Sequence, residues 1–178
     1  RQALGDSQAG SGGNIAIGYY AMREVDEGTG DGDADYNIAI GYDALKGGDF
    51  GSGNDGKDLK NNIAIGFQAM DATAANAQTG TIAIGADALG ALTSGTGNTA
   101  VGYQSLGTDD GPNNTAVGYQ ALQANAGGYN TAVGSTALDA CTGAENTAVG
   151  WDAGGSIIGG THNVCFGSNA GDTITTGP

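Results

Sequence analysis

The chain has 178 residues, and 36 of them are glycine, whereas only seven Tyr, three Phe and one Trp supply large aromatic side chains. So few large side chains exclude a thick globular core and favour a thin, elongated one. The 19 acidic and five basic residues give a net charge of −14, which argues against binding to nucleic acid or to an anionic membrane surface. No apolar run approaches the ~20 residues of a membrane-spanning helix, so we expect no membrane insertion.

One short phrase recurs along the whole chain, and its nine copies align on a central glycine. The spacing between these glycines falls from 23 and 25 residues at the start to 16 or 17 over the last five intervals. The stretch from Gln2 to Leu4 resembles the end of a tenth copy. This regularity predicts one repeat domain over residues 1–178, with insertions at 23–36 and 46–61. The central glycines are Gly18, Gly41, Gly66, Gly85, Gly102, Gly118, Gly134, Gly150 and Gly167.

The residues before each glycine alternate in size, as the two faces of a β-strand do. The position two before the glycine is alanine in eight copies and Cys165 in the ninth. The residues on either side of it are isoleucine, valine or threonine, with Phe166 as the single exception. Because β-branched residues favour strands over helices, each copy is predicted to contain a short strand.

A second segment follows each glycine, and its third residue is again small, as Ala121 and Ala137 illustrate. The next residue is leucine or methionine in the first seven copies. We therefore predict two strands of four or five residues and two turns per copy, which together make one circuit of a parallel β-solenoid. The predicted fold class is all-β, with about ten coils of ~16 residues and with loop insertions in the first coils. The leucine column is expected to fill the wider side of the coil.

Asparagine precedes the strand in eight of the nine copies, and Thr81 replaces it once. Asparagine is favoured at turns, and stacked asparagines hydrogen-bond along a column. We expect these residues to stack at one corner of the solenoid. They are Asn14, Asn37, Asn62, Asn98, Asn114, Asn130, Asn146 and Asn163.

Only one face of the strand fits inside so thin a coil. If the alanines point inward, the β-branched residues form an apolar stripe on the outside, and exposed apolar surface of that extent usually marks an interface. Closed symmetry then favours a homo-oligomer. A trimer is preferred, and a dimer is the alternative. The opposite orientation, with the alanines outside, would allow a monomer. The predicted interface residues are Ile15, Ile17, Ile38, Ile40, Ile63, Ile65, Ile82, Ile84, Val101, Val117, Val133 and Val149.

The repeated phrase Asn-(Ile/Thr)-Ala-(Ile/Val)-Gly-x-x-Ala-(Leu/Met) resembles the head repeat of trimeric autotransporter adhesins. It is also similar to repeats in bacteriophage tail fibres. The resemblance covers nearly the whole chain, and it implies a left-handed parallel β-roll with three chains around one axis. It further implies a location outside the cell, on a cell surface or on a virion fibre, and attachment to a host or another surface.

An acidic loop in the first insertion carries Asp31, Asp33 and Asp35 at alternate positions. Because Ca²⁺ binds about six to eight oxygen ligands, these residues form a candidate Ca²⁺ site. Tyr36 stands where an EF-hand loop has its glycine, so a solvated acidic loop is the alternative interpretation. Ca²⁺ is the one cofactor that the sequence suggests.

The second insertion matches two phosphate-binding motifs over residues 51–57. Asp58 stands where the longer motif needs Ser or Thr for Mg²⁺, and no helix pattern follows. We therefore predict no nucleotide site in this insertion.

Few other residues carry chemistry. His162 is the single histidine, and neither Cys141 nor Cys165 is spaced to pair with it as a nucleophile or a zinc ligand. No catalytic residue is predicted. Aromatic residues are frequent directly after the central glycine, as Tyr103 and Tyr119 illustrate, and they suit either packing between chains or stacking on sugars.

The sequence thus predicts a non-enzymatic, oligomeric fibre segment that presents its loops to a host surface or a glycan. One alternative is a subunit that polymerises head to tail into an extracellular filament. A second is a polysaccharide-degrading enzyme of the tailspike type, although the sequence singles out no pair of carboxylates for it. A third is an ice-binding solenoid, since Thr99, Thr115, Thr131 and Thr147 recur at equal spacing.

Overall fold

The structure, a computed structural model, describes residues 12–23, 34–47, 58–73, 77–91, 94–108, 111–124 and 127–175. These residues form twelve β-strands and no helix. Nine strands make one parallel sheet, and the other three make a second, smaller parallel sheet. The predicted all-β parallel solenoid is confirmed.

The nine-stranded sheet is built from one three-residue strand per coil. Its strands follow one another in chain order, so the chain advances by one strand at each circuit. The register is strict, since Ala116 lies opposite Ala132 and Ala132 lies opposite Ala148. The predicted tenth copy, from Gln2 to Leu4, lies outside the described residues. The strands are β1 (Ile15–Ile17), β3 (Ile38–Ile40), β5 (Ile63–Ile65), β7 (Ile82–Ile84), β8 (Thr99–Val101), β9 (Thr115–Val117), β10 (Thr131–Val133), β11 (Thr147–Val149) and β12 (Val164–Phe166).

The smaller sheet occurs only in the early coils. It consists of β2 (Ala34–Asp35), β4 (Leu59–Lys60) and β6 (Gln78–Thr79), which pair in that order. Strands β2 and β4 lie at the ends of the two insertions identified in the sequence. In the later coils the corresponding position, three residues before the corner asparagine, is glycine and forms no strand.

The segment after the central glycine is a turn, so the prediction of a second strand there was wrong. Its backbone enters the left-handed region at alternate residues, with φ of 51° at Gln104 and 49° at Leu106. The segment still bonds to both neighbouring coils, because the N–H of Gln104 donates to the carbonyl of Ala86 and the N–H of Leu106 donates to that of Ala121, each at 3.0 Å. Side chains alternate between inside and outside in this turn as they do in a strand, which is why periodicity alone did not separate the two.

The core is thin and lies between the strand and the turn. Both small columns are fully buried along most of their length, as Ala116 and Ala121 show, and Ala16 and Ala170 in the first and last described coils are partly buried. The column of leucines and methionines that includes Leu122 is fully buried as well. The predicted inward orientation of the alanines is therefore confirmed. The coils also approach closely at the central glycine: a Cβ atom at Gly118, where φ is 143°, would collide with the carbonyl oxygen of Gly134.

The corner asparagines form the predicted column. The side-chain oxygen of Asn114 accepts a hydrogen bond from the N–H of Asn130, and that of Asn130 accepts one from the N–H of Asn146, both at 2.8 Å. The side-chain nitrogen of Asn146 donates to the carbonyl of Gly160 in the next coil, also at 2.8 Å. Each buried amide therefore ties its own coil to the following one.

Candidate interaction surface

The outer face of the nine-stranded sheet carries all twelve predicted interface residues. None of them is fully buried, and the exposed fraction reaches 58% at Ile17 and 37% at Ile84. Because the strands are parallel and in strict register, these side chains form two columns, one on each side of the buried alanine column. We call these columns, from Ile15 to Val149, the outer sheet face.

A column of aromatic side chains lies beside this face, directly after the central glycine. The rings of Tyr19 and Tyr42 stack with centroids 5.4 Å apart, and those of Tyr42 and Phe67 stack at 5.3 Å. Tyr103 and Tyr119 form a second stack at 5.6 Å. All five rings are exposed, so they extend the apolar surface beyond the glycine column.

The chemistry of the outer sheet face changes along the axis. The first four coils present isoleucine in both columns, whereas the next four present threonine in one column and valine in the other. The four threonines lie in register, because Thr99 is opposite Thr115 and Thr131 is opposite both Thr115 and Thr147. They form a single file rather than a two-dimensional array.

A groove of about 290 Å³ lies on the turn side of the coils. Its lining includes the carboxylates of Asp71 and Asp87, the carboxamides of Gln104 and Gln123, and the backbone of two glycines, Gly90 and Gly107. The sequence analysis did not single out this pair of acids. The repeat register could have indicated this pair, because it places both acids on the turn segment. Asp71 directly follows a residue of the leucine column, and Asp87 lies two residues after a central glycine.

The polar groups of this groove are partly fixed in place. The side-chain oxygen of Gln104 accepts hydrogen bonds from the side-chain nitrogens of Gln120 and Gln123, at 2.9 and 3.2 Å. Burial raises the pKa of the Asp71 carboxyl above its ordinary value; Lys46 opposes this effect and the carboxylate of Asp87 adds to it. Carboxylates and carboxamides in such an arrangement can hydrogen-bond the hydroxyl groups of a ligand.

The candidate Ca²⁺ site falls mostly outside the described residues, which include Asp35 but neither Asp31 nor Asp33. Asp35 lies on β2, and its side-chain oxygen accepts a hydrogen bond of 2.6 Å from the N–H of Gly12. Within the described ranges no group of three or more His, Cys, Asp or Glu side chains is arranged to hold a metal. The Ca²⁺ site stays a prediction. The motif matches over residues 51–57 also lie outside the described residues.

The cysteines and the histidine occupy structural positions. Both thiols are free and buried, with Cys165 in the alanine column and the sulfur of Cys141 at 3.4 Å from the side-chain nitrogen of Asn146. Burial raises the pKa of both thiols, which disfavours the nucleophilic thiolate. His162 lies in an exposed turn, with its Nε2 atom 2.7 Å from the carboxylate of Glu145.

Within the part of the chain that the structure describes, no helix is long and apolar enough to cross a membrane.

Comparison with known proteins adds no identification. No protein-family model matches the chain, and no curated protein or solved structure does.

Proposed function

We propose that this chain is a non-enzymatic structural segment of an extracellular fibre, in which three copies associate through their outer sheet faces and present loops for attachment to a host surface or a glycan. The observation that carries the proposal is the orientation of the strands. The alanines fill the interior, so the isoleucines and valines lie outside along the whole length of the sheet.

The energetics favour association along the whole face rather than at one point. Covering the exposed part of one such isoleucine or valine contributes about 1 kcal/mol. Twelve of them contribute on the order of 10 kcal/mol, which is comparable to the ~4–15 kcal/mol that association costs. A contact between one or two coils would therefore not hold the chains together, whereas a contact along the axis, extended by the aromatic column, would.

The distribution of charge supports the same face. The chain carries a net charge of −14, so most surfaces of two copies would repel each other. The outer sheet face and the aromatic column beside it contain no charged residue. Closed symmetry hides such a face from water on every copy, and the resemblance to adhesin and tail-fibre repeats favours three copies.

The proposed mechanical role follows from how the coils are joined. Main-chain hydrogen bonds link each coil to its neighbours on the strand side and on the turn side, and the asparagine column adds a third line of bonds. Such a ladder suits a stiff spacer. The insertions at 23–36 and 46–61 end on β2 and β4 of the smaller sheet, and loops that a repeat scaffold carries are common sites of recognition, so we assign the contacts with a surface to them.

The mass of the native particle in solution tests this proposal. Sedimentation equilibrium is expected to give three times the 17.3 kDa mass of the chain. The double variant Ile40→Asp/Ile65→Asp is expected to sediment as a monomer with an unchanged circular dichroism spectrum, because charges would enter the interface. The matched control Thr79→Asp, on the exposed part of β6, is expected to keep the native mass. A monomeric native chain would refute the proposal, and an open series of masses would favour head-to-tail polymerisation instead.

A second candidate function is cleavage of a polysaccharide, and one observation favours it. The groove brings Asp71 and Asp87 together, and the pKa of Asp71 is raised, as it is in a general acid of a glycosidase. The test is release of reducing ends from bacterial surface polysaccharide. The variants Asp71→Asn and Asp87→Asn are expected to abolish the release, and absence of release by the native chain rejects this candidate.

A further inference from the structure

The interior of the solenoid contains one cluster of polar side chains that its neighbours do not satisfy. Thr73, Gln78 and Thr81, which we call the Gln78 cluster, are all fully buried. Among the residues that the structure describes, neither hydroxyl group has a hydrogen-bond partner, and neither polar atom of the Gln78 carboxamide has one. Buried polar groups are almost always hydrogen-bonded to protein or to ordered water. We therefore expect each of these four atoms to have a hydrogen-bond partner in solution.

Gln78 and Thr81 lie on either side of one side-chain amide. The side-chain nitrogen of Asn62 donates to the carbonyl of Gln78 at 2.8 Å, and its side-chain oxygen accepts from the N–H of Thr81 at 3.0 Å. The two residues therefore belong to the same corner of the same coil.

The repeat register places Thr73 at this corner as well. Thr73 is the third residue after Met70 of the leucine column, just as Cys141 is the third residue after Leu138. The sulfur of Cys141 lies 3.4 Å from the corner residue of its own coil, Asn146. From this register, and because Thr73 is fully buried, we infer that its side chain lies inside the coil near the corner at Thr81.

The residues at the equivalent positions of the neighbouring coils show what sets this coil apart. Gln78 pairs with Leu59 of the preceding coil, whose apolar side chain is buried in the core. In the following coil the equivalent residue, three before the corner asparagine, is Gly95, which has no side chain. Thr81 in turn replaces an asparagine, and its shorter side chain leaves the hydroxyl unpaired at the point where the asparagine column is interrupted.

We propose that the Gln78 cluster is an internal water-binding site, in which one or two ordered water molecules join the Gln78 carboxamide to the hydroxyls of Thr73 and Thr81. A buried water makes about two to four hydrogen bonds, which the four unpaired atoms can supply. The three side chains are neutral and offer both donors and acceptors. This chemistry suits water, whereas a metal ion would require several oxygen ligands and compensating charge.

The first test is a crystal structure at a resolution that shows ordered solvent. We expect density within about 2.7–3.2 Å of both the Gln78 carboxamide and the Thr81 hydroxyl. An interior without such density would overturn the proposal, and so would a Gln78 carboxamide that bonds directly to protein atoms.

The second test detects the water in solution through nuclear Overhauser effects from long-lived water to the amide proton of residue 81. The native chain is expected to give this signal. Gln78→Leu, which introduces the residue of the preceding coil, and Thr81→Asn, which completes the asparagine column, are each expected to abolish it. The matched control Gln68→Leu, on the outer side of the turn, is expected to retain it. The proposal is contradicted if the signal persists in both interior variants or is missing from the native chain. If Gln78→Leu does not fold, the result for Thr81→Asn alone tests the proposal.

Discussion

Side-chain size at each position of the repeat determines which face of the strand meets water. Alanine fits in the space between the strand and the turn, and Ala39, Ala100 and Ala132 have no exposed surface. The branched neighbours of each alanine must then point outward, because successive residues of a strand face opposite sides. A larger side chain in the alanine column would overfill the core.

The asparagine column contributes polar stabilisation at the residue scale. We expect Asn114→Ala to lower the free energy of unfolding by about 1–3 kcal/mol, because it removes the acceptor of the Asn130 N–H, which is buried. Urea denaturation followed by circular dichroism measures the change. The control Thr79→Ala, on an exposed site, is expected to change stability by less than about 0.5 kcal/mol. Equal effects of the two substitutions would contradict a structural role for the column.

Asp71 is expected to destabilise the folded chain when its carboxyl is ionised. Burial raises its pKa, so the folded state holds the proton more tightly than the unfolded state, and stability is lost as the pH rises through the interval between the two pKa values. Asp71→Asn is therefore expected to raise the melting temperature at neutral pH. The gain should shrink as the pH falls below the ordinary range of Asp, and a gain that does not depend on pH would contradict this explanation.

At the scale of elements, the turn after the central glycine carries backbone strain. Thr136 is a β-branched residue at φ 55°, a region that such residues avoid. Asn169 occupies the equivalent position of the last described coil with the same φ of 55°, and asparagine tolerates this region well.

We expect Thr136→Asn to raise the free energy of unfolding by roughly 0.5–1 kcal/mol, since it relieves the strain at this position. Urea denaturation compared with the native chain measures the gain. Thr142→Asn, at an exposed site where φ is not positive, provides the comparison and is expected to give no such gain. A Thr136→Asn variant that is less stable than the native chain would show that the turn is not strained.

The elements differ in how far the sequence predicts them. The strand and its two faces follow from the alternation around each alanine, and the corner column follows from Asn114 and its equivalents. The left-handed turn cannot be predicted from the sequence. Residues such as Gln104 and Leu106 rarely adopt positive φ, and nothing in their identity indicates that they do so here. The groove was missed because Asp71 and Asp87 are 16 positions apart in the sequence and meet only through the coil register.

At the scale of the whole molecule, the solenoid is a one-dimensional ladder. Each strand of the main sheet pairs only with the strands of the adjacent coils. Stability is then close to a sum of coil and nearest-neighbour contributions, and a surface property that recurs in each coil extends along the entire axis. The outer sheet face is such a property, and it is the basis of the proposed association.

The central claim is that the outer sheet faces of different chains meet, and cross-linking at one position tests it most directly. Val117→Cys introduces a thiol on this face, while both native thiols are buried. Mild oxidation of dilute protein, followed by non-reducing electrophoresis, is expected to give covalently linked pairs of chains. The control Thr79→Cys, on the exposed part of β6, is expected to give chains that are not cross-linked. Single chains from Val117→Cys, or equal pairing from both variants, would contradict the account.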